Sequence, residues 1–281
     1  MNQSVLSIHC GVARYALATV ALLLVPLCYS CTKHGGSSTA DITWDTVTLQ
    51  VIDSVEESRE KAYFIGDFTM LFPQEHQALA QEIRRVALGD EAGTLLTDRE
   101  ALKSFATRME QAFLSDSTYM GTTSQQTVSM ITTIPYKDAH VATLCIDVTT
   151  RNNNEEAFHS RRYCCFALEK GEALGERSLF VEGYEEQLHR LLLEEAEESF
   201  PGVVFITDEL TPNGNFAIKE AGIQYCFSTE TVAPQLNHNN EAVELLLPWK
   251  HLTAILATPS RSVTSNKAKL SCRKHLLNGN R

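Results

Sequence analysis

Cysteine, histidine and carboxylate are the side chains in this sequence from which a site could be built. The tightest spacing is Cys28-Tyr29-Ser30-Cys31. A C-x-x-C pair can cycle between dithiol and disulfide, or give two of the four ligands of a zinc ion. Either role needs partners, in the form of a βαβ context or further Cys/His ligands. His34 and the Gly/Ser run behind it supply neither. No two of the nine histidines fall at a metal-ligand spacing with an acid between them, and His159 and His189 read as surface or structural residues. Carboxylates gather in residues 185–198 as Glu185, Glu186, Glu194, Glu195, Glu197 and Glu198. Paired carboxylates can hydrolyse glycosides, but here they form the wet side of an amphipathic helix. There is no G-x-S-x-G, H-E-x-x-H, phosphate loop or G-x-G-x-x-G. The residues thus imply no cofactor and no metal, and they single out no catalytic group.

Five cysteines follow Cys31: Cys145, Cys164, Cys165, Cys226 and Cys272. Consecutive strand residues point to opposite faces. One of Cys164 and Cys165 is therefore expected in a core, and the other is the better candidate for a bridge, for instance to Cys145. Cys145 and Cys226 read mainly as small buried hydrophobes.

The elements around these residues begin with an apolar run at residues 15–27, just after Arg14, the single charged residue of positions 1–31. It is too short to span a bilayer comfortably, which takes about 20 residues, and it has the length of a signal-peptide core. Ser30-Cys31 at its end resembles the cleavage site of a bacterial lipoprotein signal. This predicts a signal peptide over 1–30, a lipidated Cys31 at the mature N-terminus and a flexible tether over 31–41. Acyl chains would then anchor an exported protein to a membrane by burying methylenes, about 0.8 kcal/mol each. In this reading Cys28 leaves with the signal, and the C-x-x-C is a boundary.

The body reads as strands at 44–53 and 61–72, a helix opened by Pro73 and ended by Gly89, and a helix begun by the capping box Thr97-Asp98-Arg99-Glu100. Strands at 124–135, 140–149 and 158–168 follow. Arg151–Glu156 forms a polar hairpin loop between the last two, and 171–175 forms a second turn. A helix at 184–200 carries Leu188, Leu191, Leu192 and Ala196 on one face. Short strands at 203–207, 215–219, 223–228 and 242–247 precede a closing helix from Pro248. Strands outnumber helices and do not alternate with them regularly. The expected fold is α+β, a mostly antiparallel sheet or sheets packed with about three helices.

The chain is 43% hydrophobic with a net charge of −11. Residues 257–281 hold six Lys/Arg and no acid, and read as a basic flexible tail. Residues 32–256 hold 17 Lys/Arg against all 35 acids, a balance of −18. So acidic a body argues against nucleic acid, whose phosphates need clustered bases. It suits solubility, and it would attract a basic partner.

One ordered pattern carries a further resemblance: Asn215-Phe216-Ala217-Ile218, Gly222-Ile223-Gln224-Tyr225-Cys226-Phe227, Val232-Ala233-Pro234, and Val243 to Pro248-Trp249 with Leu252. It resembles the C-terminal domain of unknown function shared by the anti-sigma factor RsiV and the peptidoglycan deacetylase PdaC, found also in exported Bacteroidetes lipoproteins. The likeness covers about residues 42–256, with halves at about 42–135 and 136–256, and is sharpest in the last fifty. It implies an RsiV-like α+β fold and a non-enzymatic envelope protein that binds a cell-wall component or a basic, lysozyme-like muramidase. Two departures fall on candidate ligand-facing residues. Thr231 and Gln235 flank Val232-Ala233-Pro234 where the family has an acid and an aromatic residue, and the loop with Asn152 and Asn153 replaces a Gly-Gly-Ala-His-type turn. Deacetylase chemistry in PdaC belongs to a separate domain, and the sigma-binding segment of RsiV has no counterpart here. A wall-glycan hydrolase and an envelope-assembly protein stay open as alternatives.

Overall fold

The computed structural model describes residues 42–57, 60–115, 124–239 and 242–257. The residues read as a signal and a tether, Cys31, Cys272 and the residues beyond 257 lie outside the described residues.

Among the described residues, nine strands form two sheets. Six lie side by side in sequence order: β1 (Trp44–Glu57), β2 (Glu60–Pro73), β3 (Ser124–Lys137), β4 (Val141–Asn152), β5 (Phe158–Ala167) and β6 (Glu172–Leu174). Every neighbouring pair is antiparallel except β2–β3, which run parallel from Ala62↔Ser124 to Thr69↔Ile131. A parallel pair needs a crossover. It is made by α1 (Gln77–Leu88), the single turn α2 (Asp90–Gly93) and α3 (Asp98–Ser115). A smaller antiparallel sheet holds β7 (Phe216–Ile218), β8 (Gly222–Ser228) and β9 (Ala242–Pro248). The remaining helices are α4 (Glu176–Leu179), α5 (Glu185–Ser199), α6 (Thr229–Val232) and α7 (Trp249–Leu252). Among the α-helices of the described residues three are long, as expected, and the other four are single turns.

Alternation builds the first core. Phe64, Phe68, Met70 and Phe72 of β2 point to one face, with Val128 and Met130 of β3, Leu144 and Ile146 of β4, and Cys164 and Phe166 of β5. Helices α1 and α3 cover that face with Leu79, Ile83, Leu102 and Phe113. Burying one such side chain is worth about 1.5–3 kcal/mol. The helix ends are closed by side chains. His76 Nδ1 accepts from Leu79 N at 3.2 Å, while its Nε2 lies 3.0 Å from the Leu168 carbonyl. Arg162 donates to the carbonyls of Val86 (2.7 Å) and Ala87 (2.9 Å), and Arg108 donates to that of Leu88. Three of the orphan carbonyls at the end of α1 are thereby satisfied. The capping box forms as read: Glu100 N donates to Thr97 Oγ1 (3.2 Å), and Thr97 N donates to Glu100 (3.3 Å).

The second core lies on the other face of the large sheet. Phe216, Ile223, Tyr225, Phe227 and Leu245 of the small sheet pack with Leu188, Leu192 and Ala196 of α5, and with Cys165 from β5. Strand β8 is buried at every position from Gly222 to Phe227. It is the middle strand of the small sheet and is enclosed on both faces.

Four expectations are corrected. Residues 203–206 form no strand: Val203 and Phe205 pack on the second core, Val204 and Ile206 face outward, and no neighbouring strand completes a ladder. Residues 172–174 are not a turn but the edge strand β6, paired with Cys165, Phe166 and Ala167. The turn before it is made by Gly171 at φ 67°. Pro73 does not open the first helix: it is the last residue of β2, and α1 starts at Gln77 after His76. Cys164 and Cys165 do point to opposite faces, yet both are buried, because this part of the sheet has a core on each side. Cys145, Cys164, Cys165 and Cys226 are all free thiols, so no Cys145 bridge forms among the described residues.

Candidate functional site

The polar residues that the fold draws together lie where the small sheet meets β4 and β5. Asp147 and Arg161 occupy facing positions on β4 and β5. Arg161 Nε donates to Asp147 Oδ1 at 2.6 Å, and its Nη1 donates to Glu244 Oε1 of β9 at 3.2 Å. Tyr163, two residues along the same face, donates its hydroxyl to Glu244 Oε1 at 2.7 Å. Asn215 joins the sheets through backbone: its Oδ1 accepts from Tyr163 N (2.8 Å) and its Nδ2 donates to the Arg161 carbonyl (3.0 Å). Cys145 and Cys226 pack beneath with Tyr163 and Ala217.

The electrostatics hold Arg161, Tyr163, Cys145 and Cys226 in their neutral-pH forms. The hydrogen bond to Asp147, and then Glu244, favour the charged Arg161 guanidinium against the opposing effect of burial. Burial, and then the Glu244 carboxylate, push the Tyr163 phenol far above its usual range. Burial and the Asp147 charge raise Cys145 to about 11, and burial and the Glu244 charge raise Cys226 to about 12. These thiols are poor nucleophiles, since the thiolate is the reactive form. The Arg161 pairs are part-exposed and screened, so each is worth roughly 1 kcal/mol or less. They orient the guanidinium more than they stabilise the fold.

A cleft of about 150 Å³ opens beside this network. Phe158, His159 and Arg161 wall it from β5, and Cys226, Ser228 and Glu230 wall it from β8 and α6. The His159 ring nitrogen Nδ1 lies 2.9 Å from Thr149 Oγ1.

The candidate residues sit beside the cleft in sequence but do not line it. Thr231, within α6, and Pro234 and Gln235, which open a 3₁₀ turn (Pro234–Asn239), are exposed and follow directly on Glu230. The Gln235 amide donates to the Val204 carbonyl. Asn152 ends β4 and accepts from Gln126 Nε2 at 2.9 Å, while Asn153, at φ 49°, exchanges bonds with the backbone of Gln125. The two asparagines tie the hairpin to β3. The structure does not bring Thr231 and Gln235 together with them in one cluster. The Arg161 network was missed in the sequence. Its only signal is an acid inside each of two apolar strands, Asp147 and Glu244.

Among the described residues no helix is long and apolar enough to cross a membrane, and no cluster of His, Cys, Asp and Glu is arranged to hold a metal ion. No protein-family model matches the sequence, and no curated protein matches it. Solved structures do. A member of the DUF3298 family from Bacteroides fragilis NCTC 9343 superposes with a TM-score of 0.58 at 13% identity, over 79% of this chain and 96% of the other. A DUF3298 family protein from Pseudomonas aeruginosa PAO1 superposes with a TM-score of 0.52 at 11% identity, over 79% and 97%. The chain thus has the α+β fold of DUF3298 family proteins.

Proposed function

We propose that this chain is a cell-envelope lipoprotein of the RsiV/PdaC type, held to a membrane by acyl chains on Cys31, and that its domain binds a cell-wall component or a basic muramidase. The observation that carries the binding part is the cleft beside Arg161. Its polar wall is oriented by charge pairs, and the thiols and phenol packed beside it are held protonated, an arrangement suited to recognition. The export part rests on the signal-like segment ending at Ser30-Cys31 and on the acidic body.

Mass spectrometry of the mature N-terminus from native membranes tests the anchor. A diacylated or triacylated Cys31 is expected; an unmodified chain beginning elsewhere removes it. Pull-down with lysozyme at low and raised salt, and co-sedimentation with purified sacculi, test the ligand. A muramidase complex formed through charge weakens as salt rises. Absence of binding in both assays ends the proposal.

A further inference from the structure

The face of the large sheet opposite α1 and α3 is covered by the small sheet only at the β4–β6 end. Over β1–β3 no described element lies on it. The strand registers set its side chains in rows across the strands: Thr48 beside Thr69, Gln50 beside Asp67, and Ser129 beside Thr149. Ile52 and Ile131 stand on the same face, 70% and 50% exposed. The rows continue through His159 and Arg161, which face Thr149 and Asp147 on β4 and also wall the cleft. Platform and cleft are therefore one continuous surface.

Three properties of this surface select a ligand. It carries few charges, of both signs, although the chain is strongly acidic: Asp67, which accepts from the Gln50 amide at 3.0 Å, the Asp147–Arg161 pair, and Arg151 near the end of β4. The acidic residues of α5 lie on a different element. The surface's other polar groups are mostly hydroxyls and carboxamides, which both donate and accept, on a grid of about 4.8 Å across the strands and 6.8 Å along them. The cleft is smaller than the roughly 300–1,000 Å³ that engulfs a free small molecule, so it takes one unit of a longer ligand.

Building on the binding reading above, we propose that this surface binds a neutral polysaccharide. The sugar hydroxyls exchange hydrogen bonds with the Thr/Ser/Gln rows, the apolar sugar faces rest on Ile52 and Ile131, and one sugar enters the cleft beside His159 and Arg161. Side chains on a paired sheet are already ordered, which lowers the entropy lost on binding.

The test is calorimetric titration of the full-length chain with two uncharged probes, N-acetylglucosamine hexamer and cellohexaose. Binding of either probe is expected, weakened about tenfold or more by His159→Ala at the cleft wall and by Thr48→Lys on the platform. Glu186→Lys on α5 should leave it unchanged. Both test positions are exposed, and circular dichroism confirms that the variants fold. No binding of either probe overturns the proposal, as does binding that both variants retain, or binding of a peptide in place of both sugars. Co-sedimentation with sacculi that persists without oligosaccharide binding would remove this inference and leave the wall-binding reading standing.

Discussion

At the scale of single residues, Gly222 shows how little room the small sheet leaves. A Cβ there would lie 2.1 Å from the Leu247 carbonyl oxygen on β9, a backbone atom that cannot turn aside. Gly222→Ala is expected to destabilise the protein by about 2 kcal/mol or more, read as a lower urea midpoint at unchanged slope. The buried cysteines make a second prediction. With Cys145 at about 11 and Cys165 and Cys226 at about 12, native protein at about pH 8 should resist alkylation at all four described thiols. Peptide mapping after denaturation should find all four labelled. Labelling of Cys145 in the native state would mean that the Arg161 network opens. The pairing of Asp147, Arg161 and Glu244 was not legible in the sequence, because it depends on the register of β4 with β5 and on a strand eighty residues further on.

At the scale of elements, β1 and α3 meet through a carboxyl pair. The Asp53 hydrogen bond raises Glu110 above its ordinary 4.5, while the Glu110 bond and the Ser54 amide lower Asp53 below its ordinary 3.8. The folded state holds the Glu110 proton more tightly than the unfolded state does. That contribution is complete below the unfolded value and fades as pH rises through the raised one. The Asp53 contribution has the opposite sense, present above its unfolded value and lost as pH falls. The contact is therefore best with one proton shared, in mild acid, and is lost toward neutrality. Glu110→Gln offers Asp53 an N–H donor at every pH. Its melting temperature should fall less than that of the wild type between about pH 5 and about pH 7; an equal fall would show that the pair contributes nothing. The long elements were readable because their signals are local: alternation in β1 and β2, the Thr97–Glu100 box before α3, the leucine stripe of α5. What was not readable depends on neighbours. Residues 203–206 have strand composition and no partner, and β6 is a strand only because β5 offers it an edge.

At the scale of the whole molecule, two cores share one wall. Leu144, Cys164 and Phe166 face the first, while Cys165 on the same strand faces the second. Neither core can melt without exposing the back of the other, so unfolding should be one cooperative transition. The two tryptophans report separately, since Trp44 packs at the margin of the first core and Trp249 lies in the second. Trp44→Phe and Trp249→Phe variants, each followed by its remaining tryptophan, should each lose their fluorescence signal at the midpoint seen by far-ultraviolet dichroism for that same variant. Fluorescence and dichroism midpoints that part within one variant would reveal independent halves. The parallel β2–β3 pair has a kinetic meaning as well. The β1–β2, β3–β4 and β4–β5 pairs join neighbouring strands and can zip early, whereas matching residue 62 with residue 124 must wait for the intervening helices to collapse onto the sheet. That long-range closure sets the pace of folding, in the millisecond-to-second range usual for such topologies. Until it occurs, the inner edge of β2 is an unpaired template, and a newly made chain is most exposed to self-association in that interval.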